Sequence, residues 1–260
     1  MDLPIYWIDA FTDRAFGGNP AAVVPLDSWP GDALLQSIAN QNGLSETAYF
    51  VRTGPARAEL RWFTPTVEVD LCGHATLATA HVLFFELGQI ESPMVFETKS
   101  GPLSVSRRGP LIELDFPARP ARAAEPAAGL LGLGRKPEYV LRSETMWLCV
   151  YRTQEEVAAL EPDHSRLVTA VPGRMIVTAP GKDCDFASRF FAPDAGIPED
   201  PATGSSHCTL MPYWAERLGR NRLHARQVSR RGGELWCELA GDRVRIAGQG
   251  ALYLRGRITV

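Results

Sequence analysis

The chain has 260 residues, 45% of them apolar and 22% charged, with a formal net charge of -3. That length suits one large domain or two of ordinary size, with enough apolar content to bury a sizeable core. The near balance of charge and the lack of a basic stripe argue against nucleic acid as a partner; Arg226, Arg230 and Arg231 read as a solvated strand edge and turn.

The first run, IYWIDAF, reads as a strand, and GGNPAAVVP as a turn followed by a second strand. Residues 31–42 read as a helix: Asp32 is placed to cap it, Leu34, Leu35, Ile38 and Ala39 form its apolar stripe, and Gly43 stops it. ETAYFV and AELRWF are short strands. A second helix is expected from about Gly73 to Leu87, closed by Gly88. MVFET, LSVSRR and LIELDF complete an α+β half over residues 1–116. The Pro-, Ala- and Gly-rich stretch 117–138 reads as a connection to a second half, 117–260. There YVLRS and MWLCVY are strands, and TQEEVAALEPD is a short helix opened by a Thr153-x-x-Glu156 capping box. RMIVTAP and CDFASRFF are strands. A helix from about Ser205 to Leu218 is closed by Gly219 and should be kinked by Pro212. Three strand-like runs finish the chain, the last of which (about 250–260) is a candidate to pack with the first half.

The longest apolar stretch, around Leu77 to Phe85, is far shorter than the ~20 residues of a membrane span. The N-terminus carries acidic residues and no basic leader, so it does not read as a signal peptide. Five scattered cysteines make no disulfide framework. A cytoplasmic protein with reduced thiols is expected.

The two halves repeat. RWFTP at 61–65 matches RFFAP at 189–193, and CGHATLATAHVLFFELG at 72–88 matches TGSSHCTLMPYWAERLG at 203–219. In this reading Gly73 and Gly204 each open a helix. The first N–H groups of a helix lack intrahelical partners, and its N-terminal end is positive. Two such ends facing each other across a pseudo-two-fold would hold an anion, and a substrate carboxylate is the natural guest. Cys72, His74, Thr203 and Ser205 would line that pocket.

Glu46 starts an aromatic strand, where it is either solvent-facing or half buried; burial would raise its pKa toward neutral and suit a general acid/base. His74, on the first helical turn, is expected to be neutral, either in the chemistry or only packing. Asp200 and Ser205 lie in EDPATGSSH, as a turn and a cap or as parts of a site. Cys72 could be a thiolate base, but two-base racemisation wants a second thiol where the repeat has Thr203, so Cys72 reads as a packed free thiol. No metal site is expected, because the histidines and cysteines lack ligand spacing, and no nucleotide loop is present.

WIDAFTDRAFGGNPAAVV, IANQNGLSETAYFV, LRWFTPTVEVDLCGHATLATAHVL and SRFFAPDAGIPEDPATGSSHCTLMPYW resemble the phenazine-biosynthesis PhzF-like isomerase family, in order and over essentially the whole chain. The resemblance implies a diaminopimelate epimerase-like α+β fold: two pseudo-symmetric halves, each a curved barrel-like sheet around a long central helix, with the active site in the cleft between them. It implies that Glu46 is the catalytic acid/base, that His74, Asp200 and Ser205 line and orient the substrate, and that backbone N–H groups around Gly73, His74, Gly204 and Ser205 hold its carboxylate. It implies no cofactor, no metal and a homodimer. The family's best-known member isomerises trans-2,3-dihydro-3-hydroxyanthranilate. An amino-acid-type epimerase or a non-catalytic binding homologue on the same fold are the alternatives. One departure is Ser206, where alanine is expected; its hydroxyl is expected near the pocket, with an effect on substrate preference.

Overall fold

Short runs of β-branched and aromatic residues, cut by glycine and proline, build most of the chain as strands. The computed structural model describes residues 1–89, 91–170 and 173–260. The elements begin with β1 (Asp2–Ala10), β2 (Asn19–Leu26), α1 (Asp32–Asn42), β3 (Glu46–Gly54), β4 (Arg57–Phe63), β5 (Glu68–Val69), α2 (Gly73–His81), β6 (Met94–Glu97), β7 (Leu103–Arg108) and β8 (Leu111–Pro117). They continue with β9 (Arg122–Ala123), β10 (Tyr139–Arg142), β11 (Trp147–Val150), α3 (Gln154–Ala158), α4 (His164–Leu167), β12 (Met175–Pro180), β13 (Phe186–Ala192), β14 (Ile197–Asp200), α5 (His207–Leu218), β15 (Arg222–Gln227), β16 (Gly233–Ala240), β17 (Arg243–Gly248) and β18 (Gly250–Thr259). Two compact units result: residues 1–115 with 247–260, and residues 116–246.

Within the first unit, β1 runs antiparallel to β2, β2 parallel to β3, β3 antiparallel to β4, β4 parallel to β6, and β6 antiparallel to β7. The second unit repeats the series: β10 antiparallel to β11, β11 parallel to β12, β12 antiparallel to β13, β13 parallel to β15, and β15 antiparallel to β16. The outer partners correspond as well. β18 pairs antiparallel with β1, and β9 with β10. The residues read as a connection, 117–138, therefore supply a strand and a 3-10 helix (Ala128–Leu133) to the second unit. The chain ends on four strands, β15 to β18, where three runs were expected.

The repeated Arg-aromatic-Phe motif has one structural meaning in both units. Arg61 grips Glu68 with two parallel bonds of 2.7 and 2.9 Å, and Arg189 grips Glu199 with the same 2.7 and 2.9 Å. Each guanidinium also lies over the phenylalanine two residues on, at 5.1 Å for Phe63 and 5.0 Å for Phe191. Arg61 draws the Glu68 carboxyl down to about 2, and burial opposes it.

Every residue of α2 after Gly73 is buried. Alanine and threonine make this possible: small side chains let strands pack close, and the hydroxyls of Thr76 and Thr79 bond back to the carbonyls of Cys72 (2.5 Å) and Ala75 (2.8 Å). The helix expected to reach Leu87 changes pitch after His81 into a π-helical turn, Val82–Glu86, with Leu87 N donating to Val82 O at 2.9 Å. Gly88 (φ 70°) then closes it, and Gln89 N reaches Leu83 O at 2.9 Å, one residue further back than a regular closure because of the wider turn. In α1 the N-cap is Gly31, not Asp32; Asp32 occupies the first helical position and pairs with Arg61 at 2.9 Å. Pro212 is tolerated inside α5 because the carbonyl it cannot bond, that of Cys208, accepts from Arg119 N at 2.8 Å instead.

Candidate active site

Glu46 is the first residue of β3, beside Ala21 of β2, and is 8% exposed. His74 lies in the first turn of α2, 5% exposed, and Cys72 is that helix's N-cap, 6% exposed. The fold brings Glu46 to Cys72 and His74, which lie 26 and 28 residues later in the sequence. His74 Nε2 lies 3.0 Å from Glu46 Oε2, and Cys72 Sγ lies 3.5 Å from Nδ1 and 3.9 Å from Nε2. Among the described residues Glu46 Oε2 has no aligned hydrogen bond, so the contact with His74 is one of charge and proximity and leaves an acceptor open.

The helix end predicted a neutral ring at His74, but its neighbours push the other way. Burial, the largest single influence, opposes the imidazolium, but Cys72 and Glu46 together outweigh it and hold His74 well above the ordinary histidine range. The helix end that motivated a neutral ring is weaker than a carboxylate 3.0 Å away. Burial first and Glu46 second raise the Cys72 thiol, and His74 beside it opposes them. All five cysteines are free. Cys72 makes no side-chain cap, so the first N–H groups of α2 are left to another acceptor.

In the second unit Asp200 ends β14 and is buried. Its Oδ2 accepts from the Thr203 hydroxyl. Gln227, at the end of β15, clamps the loop: its Nε2 donates to Asp200 O at 2.6 Å and to Thr203 Oγ1 at 3.2 Å, and its Oε1 accepts from Thr203 N at 2.8 Å. Gly233 is required beside this loop, since a Cβ there would sit 2.6 Å from that of Ala202. Gly204 and Ser205 open a tight turn rather than the α-helix itself: His207 N bonds Gly204 O at 3.0 Å and Cys208 N bonds Ser205 O at 3.2 Å, and α5 begins at His207. Gly204 is buried and Ser205 half-buried. Ser206 was expected near a pocket but turns inward, donating to Thr203 O at 2.8 Å, with 1% exposure.

Two buried polar residues were missed by sequence reasoning. Gln227 had no local signal, since its partners lie 24 and 27 residues earlier. Asn19, fully buried at the start of β2, was read only as part of a turn. A cavity of about 670 Å³ lies elsewhere, lined by Leu130, Leu131, Tyr139, Tyr213 and Arg217 among others, and by none of the predicted site residues.

A family model described as phenazine biosynthesis-like protein matches residues 8–256. The chain belongs to the phenazine biosynthesis-like family. An uncharacterized isomerase of Pseudomonas aeruginosa is 50% identical to it over 260 residues, covering 99% of each chain. The crystal structure of a PhzF-family phenazine biosynthesis protein from Enterococcus faecalis superposes with a TM-score of 0.96 at 42% identity, covering 100% of both chains. A hydroxyproline epimerase from Agrobacterium vitis shares the fold alone, with a TM-score of 0.59 at 12% identity over 99% of this chain and 92% of that one. The α+β, diaminopimelate epimerase-like fold is the one the sequence implied. At the coarse level of reaction class, these relatives point to an isomerase. Among the described residues no helix is long and apolar enough to cross a membrane.

Proposed function

We propose that this chain is a cofactor-independent isomerase that moves a proton between carbons of a small carboxylate substrate, similar to the isomerisation of trans-2,3-dihydro-3-hydroxyanthranilate. The observation that carries the reading is the buried Glu46–His74 pair at 3.0 Å on the first turn of α2. His74 Nε2 stands 3.0 Å from Glu46 Oε2, and among the described residues that oxygen makes no aligned hydrogen bond, so it is open to accept a proton from carbon. Glu46 takes a proton from one carbon, the electron pair shifts through the conjugated system, and the same proton returns to a second carbon. The uncapped N–H groups of Gly73 and His74 stabilise the negative charge that develops, or the substrate carboxylate itself. Roles for Asp200, Gly204 and Ser205 in orienting the substrate rest on the repeat, which makes their loop the counterpart of the Cys72–His74 turn. A two-thiol epimerase is disfavoured, because position 203 is a threonine whose hydroxyl is engaged by Asp200. The same reading takes the enzyme to be cytoplasmic and dimeric.

The test is isomerisation in heavy water. The protein is incubated with trans-2,3-dihydro-3-hydroxyanthranilate in heavy water, and product and isotope are followed by mass spectrometry. Glu46→Gln is expected to stay folded and to lose turnover, and Cys72→Ser to keep most of it. Near-normal rates in Glu46→Gln would sink the assignment of the base. Loss of all activity in a folded Cys72→Ser would revive the thiol.

A further inference from the structure

We infer that Glu46, Cys72 and His74 form a binding site for a thiophilic divalent cation, zinc above all, whose occupation shuts off the base. Residue spacing does not reveal it, because Cys72-x-His74 is no metal motif and the third ligand comes from a strand 26 residues before Cys72. The fold supplies one sulfur, one imidazole nitrogen and one carboxylate oxygen, all within 4.8 Å of one another. Tetrahedral zinc, with bonds of about 2.3 Å to sulfur and about 2.0 Å to nitrogen and oxygen, spaces its ligands roughly 3.2–3.7 Å apart. The distances here, 3.0 Å from Nε2 to Oε2 and 3.9 Å from Nε2 to Sγ, bracket that range. All three residues are buried, with 8%, 6% and 5% of Glu46, Cys72 and His74 exposed. Glu46 Oε2 faces His74 Nε2 at 3.0 Å without an aligned hydrogen bond among the described residues, so the carboxylate is not locked to the ring and its oxygen is free to bind a cation.

The donor set decides the metal class. Thiolate and imidazole select zinc and its neighbours over magnesium or calcium, which want oxygen. On binding, the Cys72 S–H and His74 Nε2–H bonds break, S–metal and N–metal bonds form in their place, and both protons pass to solvent. Three protein ligands leave the fourth position to water. Resting on the isomerase reading above, the consequence is inhibition: a carboxylate bound to zinc cannot take a proton from carbon.

The experiment titrates zinc against a chromophoric chelator, using protein first stripped with EDTA, and repeats it for Cys72→Ser and for Cys184→Ser, which alters the half-buried cysteine of the loop before β13. One tight equivalent is expected in the wild type and in Cys184→Ser. Replacing even a residue that only hydrogen-bonds a ligand weakens metal sites about 10- to 100-fold, so removing the Cys72 ligand is expected to weaken this one by about 100-fold or more. Cobalt(II) gives the second readout, a near-ultraviolet thiolate-to-cobalt charge-transfer band present in the wild type and in Cys184→Ser and absent from Cys72→Ser. Equal zinc affinity in wild type and Cys72→Ser, or a cobalt band that survives in Cys72→Ser, would overturn the site. Neither readout needs turnover, so the site stands or falls apart from the isomerase reading. Where isomerase activity is present, one equivalent of zinc is expected to abolish it and EDTA to restore it; full activity with zinc bound would overturn the inhibition.

Discussion

His207 has its ring Nδ1 2.9 Å from Thr203 O, so Nδ1 carries the proton and donates it, and the other nitrogen has no hydrogen-bond partner among the described residues. Burial pushes its pKa down to about 4. The unfolded chain binds a proton there near pH 6.5, whereas the folded chain does so only near 4. The neutral ring therefore contributes stability that is complete above about pH 6.5 and is lost as pH falls toward 4, worth roughly 2–4 kcal/mol. His81, whose pKa burial also lowers, adds to the same acid limb. His207→Asn keeps a donor where Nδ1 stood and removes the titration. Urea unfolding from pH 4 to 7 is expected to show a shallower acid limb in the variant, with the share of His81 remaining; an unchanged slope would refute the role. This residue also marks the limit of the sequence. Glu46 and His74 could be picked out because they sit in short motifs, but their pairing and the Gln227 clamp depend on chain segments that meet only in the fold.

Among the elements, the two hairpins β4–β5 and β13–β14 were legible as a repeated Arg-aromatic-Phe-x-Pro motif, and their partners were not, since a glutamate seven or ten residues on carries no pattern of its own. The repeat nonetheless differs in depth. Arg61 spends its remaining nitrogen on exposed Asp32. Arg189 spends Nη1 on three carbonyls at the end of α3, those of Val157 (3.1 Å), Ala158 (3.3 Å) and Leu160 (2.8 Å). Lysine retains the charge but not the planar fork. Arg61→Lys is therefore expected to cost about 1 kcal/mol, in the range of a partly exposed ion pair. Arg189→Lys should cost about 3 kcal/mol, because it leaves buried carbonyls and a carboxylate poorly matched. Chemical denaturation of the two variants measures both, and equal losses would mean that the α3 carbonyls contribute nothing. Helices α1, α2 and α5 were legible from their apolar residues and terminal glycines and α3 from its capping box, while the four-residue α4 was not read. The π turn after His81 and the tight turn before His207 were not, because both are settled by how the buried residues pack and not by local propensity.

At the scale of the whole chain, duplication was visible in two short blocks and is far more complete in the strand pairings, which sequence divergence had erased. The last strand shows what that means for stability. β18 pairs with β1 from Asp2↔Thr259 to Ala10↔Gly250, with one irregularity after Trp7, so the chain's final residues complete the sheet at its beginning. Side chains reinforce the ladder: Tyr253 packs on Trp7 and Phe16 at 6.0 and 5.6 Å, and Arg257 reaches Asp2. Its counterpart in the second unit, β9, offers β10 only Ala123 and Arg122. A chain ended after Gln249 keeps the bond from Phe11 N to Gln249 O and loses this ladder entirely. β1 would then present an unpaired edge along its length, a template for association with other chains. Hydrogen exchange read by mass spectrometry on the shortened protein is expected to show lost protection across β1 and β2, with β11, β12 and β13 keeping theirs. Full protection of β1 would mean that its pairing with β2 alone holds it, and that the terminal strand is an ornament of the first unit instead of a part of its core structure.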